Sequence, residues 1–318
     1  MNNFKKIGLT ALAGSLVATS VAYAGELTAT GAAEMKMTNS SQSAAGKTIG
    51  MANNIYFKGA GETDGGLNVA LSFELDDGSN SGNSSAAWDN HSVSIGNDSL
   101  GTLKVHGHGG SNSAAALDTT AAGDLWDSTL GITSSNDPDS SASGNNLVVY
   151  SLPTVVDGLS LAASYASDGE NDAGSTAYGA TYTGFEGLTL SFGKGSDNRT
   201  KNIDRDQTIM KASYAYGPVT VGYSNNDYDH TSANSDQEVK SINISYTLTD
   251  AISVSYGEET IEKTGTSSDI EVEGISASYT SGGMTVAVKS VEATNVDYSN
   301  TAANNDNEMW KVALTFAF

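Results

Sequence analysis

Side chains that could catalyse a reaction are scattered along this sequence but form no recognisable catalytic motif. The chain has no cysteine, which excludes thiol catalysis and thiolate metal sites. Its four histidines occur without a Gly-x-Ser-x-Gly motif, a phosphate-binding loop or a His-Glu-x-x-His motif. A hydrolase needs serine, histidine and carboxylate in one constellation, and the spacing indicates none. The sequence therefore predicts a protein that is not an enzyme and that holds no cofactor.

Lysines recur at alternate positions of strand-like segments. Lys104 lies between Leu103 and Val105, and Lys211 lies between Met210 and Ala212. Because successive side chains of a strand point to opposite faces, such lysines lie on a polar face opposite an apolar one. If the apolar face meets lipid, they line a polar interior. In the alternative interpretation each is an ordinary solvated lysine on a wet face. The full set is Lys36, Lys58, Lys104, Lys211, Lys289 and Lys311.

A long segment, about 107–144, carries acids between apolar residues. The acids are Asp118, Asp124 and Asp127, and the apolar residues are Leu117, Leu125, Trp126 and Leu130. The segment is too long and too mixed for an ordinary loop. The apolar residues could hold it against a wall while the acids face an aqueous gap opposite the lysines, which would favour polar solutes. The alternative is an extracellular loop with hydrated carboxylates.

Two acidic pairs are weak calcium candidates. Asp137 and Asp139 flank a proline, and Asp227 and Asp229 flank a tyrosine. Carboxylate oxygens suit Ca²⁺, but neither spacing matches a calcium-loop consensus. The sequence thus predicts no metal centre, and hydrated loop acids are the other interpretation of both pairs.

The last segment of the sequence shows most clearly that the elements carrying these residues are β-strands. Counting back from Phe318, every second residue to Trp310 is apolar, and the intervening positions are small or polar. This period of two predicts a strand, long enough to cross a bilayer when tilted. A chain that stops on an aromatic residue within such a pattern resembles the assembly signal of bacterial outer-membrane barrels. Phe318 is therefore predicted to be that signal, read by the barrel assembly machinery.

About 16 such strands can be counted between Gly25 and Phe318. Short turns alternate with longer loops rich in Asn, Asp, Ser and Gly, and tyrosines recur beside the short turns. These features predict an all-β, transmembrane, antiparallel barrel with its long third loop folded into the lumen. A soluble or solenoid β protein is the alternative, although it gives no reason for the segregation of loop lengths.

The N-terminus carries an export signal. Lys5 and Lys6 precede an apolar run, and small residues at 22 and 24 form a cleavage site. Residues 1–24 are thus predicted to be a Sec-type signal peptide, and 25–318 the barrel. The formal net charge of −22 argues against nucleic acid as a partner.

Three segments resemble a known family. Residues 145–153 read NNLVVYSLP and residues 158–165 read GLSLAASY. Both are similar to the segments that follow the constriction loop in general porins of alphaproteobacteria, and LGTLKVHG at 100–107 resembles the strand before that loop. Members of that family usually carry arginines opposite the loop. Here the two arginines, Arg199 and Arg205, fall in a predicted exterior loop.

The resemblance implies a trimeric, 16-stranded porin of a Gram-negative outer membrane, in contact with its lipid. Such a channel would pass small hydrophilic solutes by diffusion, and the acidic excess predicts a preference for cations. One alternative is a substrate-selective outer-membrane channel. The other is an acidic exported adhesin or surface protein.

Overall fold

The computed structural model describes residues 27–41, 46–76, 88–126, 130–132, 138, 144–167, 174–200, 203–300 and 306–318. The predicted signal peptide, 1–24, lies outside these residues, as do Asp127, Asp137 and Asp139. In the described part, no helix has the length and apolar character needed to cross a membrane.

Sixteen strands form one closed antiparallel barrel, in which each strand pairs with its neighbour in sequence and β1 pairs with β16. The prediction of an all-β barrel with 16 strands is confirmed. The strands are β1 Leu27–Ser40, β2 Thr48–Glu62, β3 Asn68–Asp76, β4 Trp88–Asn97, β5 Gly101–His108, β6 Leu147–Ser151, β7 Leu159–Ser167, β8 Gly174–Tyr182, β9 Leu188–Thr200, β10 Ile203–Tyr216, β11 Val219–His230, β12 Gln237–Thr249, β13 Ile252–Lys263, β14 Ile270–Ser281, β15 Met284–Thr294 and β16 Asn307–Ala317.

The closing seam joins the two ends of the sheet. Met35 opposes Leu314 and Thr38 opposes Lys311 in the β1–β16 register. The N–H of Gly31 donates to the carbonyl of Phe318 at 2.8 Å, and the N–H of Phe318 donates to the carbonyl of Gly31 at 3.0 Å. The terminal residue therefore completes the ladder, which leaves no free sheet edge at this seam.

Apolar side chains cover the outside of the barrel. Leu190, Phe192, Ile242 and Ile244 are 42–49% exposed, at positions that alternate with inward-facing residues. Large exposed apolar residues of this kind suit a lipid-facing surface. Exposed tyrosines stand beside the short turns, as predicted for an interfacial girdle: Tyr182, Tyr214, Tyr246 and Tyr279.

Some residues that the sequence indicated as loop belong to strands. Asp227 and Asp229 were interpreted as loop acids, but β11 runs to His230 and β12 begins at Gln237. Arg199 and Arg205 likewise belong to β9 and β10 rather than to an exterior loop. At the outer strand ends the outward-facing residues are acidic instead of apolar, as at Glu258 and Glu273, while the backbone pairing continues. The alternation of apolar and polar residues therefore ends before the strand does.

Candidate functional site

Residues 109–126, which follow β5, fold into the barrel. The base of this segment is closed by two backbone hydrogen bonds between Gly110 and Gly144, at 2.8 and 3.2 Å. Asn112, which is 1% exposed, accepts N–H groups of Ala114 and Ala115 at 2.9 and 2.8 Å and so starts a 3-10 turn over Ala115–Leu117. We call residues 109–126 the inserted loop.

A series of hydrogen bonds fixes the inserted loop to the inner wall. Its N–H groups donate to serine hydroxyls of three strands, at 2.8–2.9 Å: Ser113 to Ser164, Ala121 to Ser224, and Ala122 to Ser241. The serines are largely buried. Because buried N–H groups need partners, these hydroxyls determine where the loop can lie.

Glu259 of β13 anchors the far part of the inserted loop. This carboxylate is 2% exposed, accepts the hydroxyl of Thr120, and accepts the N–H of Leu125 at 2.8 Å. The Thr120 hydroxyl accepts the N–H groups of Gly123 and Asp124 at 3.1 and 2.9 Å. One wall residue thus organises a complete turn of the loop.

Inward-facing glycines let the inserted loop lie close to the wall. A β-carbon at Gly179 would come within 2.4 Å of the Ser113 carbonyl oxygen, and one at Gly257 within 2.6 Å of the Ala122 β-carbon. The same holds less severely at Gly193, Gly222 and Gly274. We call these five the glycine row. Their lack of a side chain leaves room for the loop backbone.

Apolar side chains complete the attachment, as the sequence predicted. Leu130 is fully buried among Val239, Ile261, Val291 and neighbouring residues, and Leu125 and Trp126 pack against this cluster. Leu117 packs against a second cluster of Ala114, Ala177 and Ile209. Burial of this apolar surface favours the folded-in position over a loop in solvent.

Of the three predicted loop acids, two lie in the described part of the chain. Asp118 accepts the Gln207 side-chain amide at 3.5 Å, and its main-chain carbonyl accepts the amide of Asn226. Burial raises the pKa of the Asp118 carboxyl to about 6, and the Gln207 hydrogen bond opposes this rise. Asp124 accepts the N–H of Thr120 at 2.9 Å. Both carboxylates therefore help to hold the loop, and their predicted role at an aqueous constriction stays a prediction.

The six predicted lysines occupy inward-facing positions, because they alternate with the exposed apolar residues of their strands. Lys211 donates to the carbonyl of Thr119 at 2.6 Å and so binds the inserted loop. The ammonium of Lys58 lies 5.3 Å from the ring centre of Tyr56. Lys104 lies on β5, and Lys289 borders a cavity beneath Leu125. Their effect on permeation stays a prediction.

Acids on the wall were missed by the sequence reasoning. Glu34 lies 3.1 Å from the Lys311 ammonium and 4.0 Å from that of Lys36. Glu74 is 5% exposed and accepts the side-chain amides of Asn54 and Asn90 at 3.1 and 2.5 Å. Alternation could have found Glu34, which stands two residues before Lys36. The wall is thus mixed in charge.

The calcium candidates that can be located belong to β11. Asp227 and Asp229 are exposed at its outer end, in a strand and not in the expected loop. Within the described residues, no three His, Asp or Glu side chains are grouped closely enough to hold a metal ion.

Comparisons with known proteins agree with this architecture. The fold resembles the anion-selective porin from Comamonas acidovorans (15% identity, TM-score 0.69, covering 92% of this chain and all of that one). It also resembles the trimer form of OmpT from Vibrio cholerae, with 15% identity and a TM-score of 0.70 over 93% of this chain and all of that one. A Rhodopseudomonas blastica porin variant is similar as well, with 18% identity and a TM-score of 0.66 over 92% of this chain and all of that one. No curated protein sequence matches this chain significantly.

The sequence itself matches the Gram-negative porin family over residues 8–301, which is most of its length. The resemblance to general porins is thereby confirmed, and it indicates a channel rather than an enzyme. The chain belongs to the Gram-negative porin family, whose members form channels in the outer membrane.

Proposed function

We propose that this porin is a water-filled channel for passive diffusion of small hydrophilic solutes and ions. The observation that carries the proposal is the inserted loop, which narrows a closed barrel and is held by buried groups from β7 to β16. A loop so fixed would leave a permanent passage between itself and the opposite wall. Selection would then rest on size and charge, as expected for a general pore.

The preference of the channel is proposed to be for cations. The formal net charge of −22 produces a negative potential that raises the local concentration of cations. Acids at the outer strand ends, such as Asp229, Glu271 and Glu273, are exposed and add to this field. The wall lysines act in the opposite direction, and one of the similar structures is an anion-selective porin. The expected preference is therefore moderate.

The assembly is proposed to be a homotrimer, exported by a signal peptide and folded through recognition of Phe318. One similar structure is described as a trimer. The barrel exterior contacts outer-membrane lipid through its exposed apolar side chains. The adhesin alternative does not account for a loop anchored inside a closed barrel. The second candidate is a substrate-selective channel, but no observation on the described residues of the lumen favours it over a general pore.

The test is the current through purified protein in a planar bilayer under a potassium chloride gradient. Stepwise conductance is expected, with a reversal potential displaced toward that of potassium. A reversal potential displaced toward that of chloride would refute the cation preference, but the protein would still be a pore. Folded protein that gives no conductance would refute the channel itself.

A further inference from the structure

The two sides of the lumen differ in how far water reaches their inner walls. The inserted loop is hydrogen-bonded to strands from β7 to β13, and the inward-facing Ala177 of β8 and Ala293 of β15 are fully buried. Ala52 and Ala60 of β2 and Ala70 of β3 also face inward, but they are exposed. A side chain as small as alanine stays exposed on an inner wall only where the space in front of it is open. We therefore expect the aqueous passage to follow β1 to β3.

Glu34 of β1 projects into this open side of the lumen. Its cross-strand partner on β2 is the exposed Ala52, whose methyl group leaves the Glu34 carboxylate within reach of water. The Oε1 atom of Glu34 lies 3.1 Å from the Nζ atom of Lys311 and 4.0 Å from that of Lys36. The side chains of Glu34, Lys311 and Lys36 remain 26%, 28% and 40% exposed. One carboxylate therefore contacts two ammonium groups at the lumen surface, and we call these three residues the Glu34 cluster.

The Glu34 cluster lies near the level at which the folded-in segment narrows the lumen. Met309, which precedes Lys311 by two residues on the same face of β16, is buried in the apolar cluster that contains Leu130. In a closed barrel of 16 strands, β1 lies across the lumen from β9, where Gly193 is close to the inserted loop. An ion that passes the inserted loop would therefore pass close to the Glu34 cluster.

The main consequence of the Glu34 cluster is electrostatic. Ion pairs that are partly exposed to water contribute little to the stability of a fold. Charges on the wall of a narrow aqueous passage, by contrast, change the local concentration of every ion that enters it. Lys36 and Lys311 alone would repel potassium and attract chloride. The carboxylate of Glu34 cancels much of that field, because it contacts both ammonium groups.

We propose that Glu34 determines the charge selectivity of the channel, by neutralising the field that Lys36 and Lys311 impose on permeating ions. The contribution of this carboxylate depends on its position in the passage and not on the formal net charge of −22. It is therefore expected to exceed that of any single exposed acid on the outside of the barrel. This inference rests on the proposed function and adds to it the residue that decides between cations and anions.

The experiment measures the reversal potential of the full-length protein in a planar bilayer under a potassium chloride gradient. In Glu34→Gln the permeability ratio of potassium to chloride should fall about two- to fourfold, the effect of one unit charge roughly 5–10 Å from the ion path in partly screened water. The shift should shrink as the salt concentration is raised from ~0.1 M to ~1 M, because the Debye length falls from about 10 to about 3 Å. A mere change in the shape of the pore would not depend on salt in this way.

Glu308→Gln is the matched control. It removes the same charge from the adjacent strand β16, but Glu308 is exposed on the outer face, since it alternates with the inward-facing Met309. This variant should keep the wild-type permeability ratio. Glu34→Asp should keep most of that ratio as well, because the negative charge remains. Glu34→Gln combined with Lys311→Gln should return the ratio toward that of the wild type, because the two changes in charge cancel.

If Glu34→Gln does not fold, Lys311→Gln replaces it and should raise the permeability ratio of potassium to chloride. A Glu34→Gln ratio equal to that of the wild type, or an equal shift in Glu308→Gln, overturns the inference. A wild type that prefers chloride, with the shift in Glu34→Gln intact, would support the role of Glu34 and refute only the cation preference. Absence of any wild-type conductance would overturn the pore, and the inference with it.

Discussion

At the residue scale, the position of the inserted loop depends most on Glu259. Its two carboxylate oxygens satisfy a hydroxyl and an N–H of the loop at a site that water hardly reaches. Buried polar groups contribute little when paired and cost much when a partner is removed. Glu259 therefore matters because its removal would leave the Thr120 hydroxyl and the Leu125 N–H buried without a hydrogen-bond acceptor.

Glu259→Ala is expected to detach part of the inserted loop. Each donor left unpaired costs about 1–3 kcal/mol, and 2 kcal/mol would raise the undocked population roughly 30-fold. Single-channel recordings should then show extra conductance levels and more open-channel noise. The control is Glu258→Ala, an exposed neighbour that accepts the Tyr256 hydroxyl at 2.7 Å on the opposite face. Equal noise in the two variants would contradict the anchoring role.

The Asp118 carboxyl should make loop attachment depend on pH. Burial raises its pKa from 3.8 to about 6 in the attached loop, whereas a detached loop would return it to its ordinary value. The attached state thus binds this proton more tightly. The contribution of Asp118 to attachment is therefore largest below pH 3.8, is lost as the pH rises to about 6, and does not change above that.

Current fluctuations are the measurement for this pH dependence. They are expected to increase between pH 4 and pH 6.5 in the wild type and to increase less in Asp118→Asn, which cannot ionise. Asp98→Asn, in the exposed turn between β4 and β5, should behave like the wild type. If Asp118→Asn retained the full pH response, the titrating group would have to lie elsewhere.

At the scale of elements, the inserted loop and the wall fit because of the glycine row. Five strands present bare backbone where the loop passes, and neighbouring positions supply serine hydroxyls. Strand interiors normally disfavour glycine. Its presence here is explained by the close approach of a second segment of backbone.

Gly257→Ala is expected to displace the inserted loop toward the lumen. The new methyl group would lie 2.6 Å from the β-carbon of Ala122, so the loop must move by about an ångström to restore van der Waals contact. Conductance should fall, by roughly a tenth to a third. Gly59→Ala is the matched control, since the nearest atom there would be 3.9 Å away. A wild-type conductance for Gly257→Ala would argue against the glycine row as a determinant of pore width.

The sequence could predict the strands and the inserted loop because both leave local patterns. Alternation marks strands such as β16, and Leu125 and Trp126 in an acidic segment indicate a loop with something to pack against. Glu259 left no such signal, because its importance comes from a contact with Thr120, 139 residues away. The outer strand ends could not be predicted for a different reason. Their outward-facing residues are polar, so the alternation that marks a strand is absent there.

At the scale of the whole molecule, closure of the barrel involves the last residue directly. The backbone of Phe318 pairs with Gly31, and a β-carbon at Gly31 would lie 2.9 Å from the Phe318 ring. The same residue is the predicted assembly signal. If that prediction holds, Phe318 acts first in recognition and afterwards in closing the seam.

Phe318→Ser should reduce the yield of folded barrel in the outer membrane severalfold, because it removes the aromatic signal while the backbone hydrogen bonds can still form. The amount is measured as the heat-modifiable band in outer-membrane fractions. Refolding of the same variant in detergent should be affected less. An unchanged yield in cells would show that assembly does not depend on this residue.

The passive pore itself is tested most directly by swelling of liposomes that contain the protein, in a series of uncharged sugars of increasing size. We expect rates that fall smoothly with solute size and rise in proportion to concentration without saturation, because the inserted loop is fixed to the wall and a general pore selects by size and charge. A rate that saturates, or one sugar admitted far faster than smaller ones, would contradict a general diffusion pore and favour a substrate-selective channel.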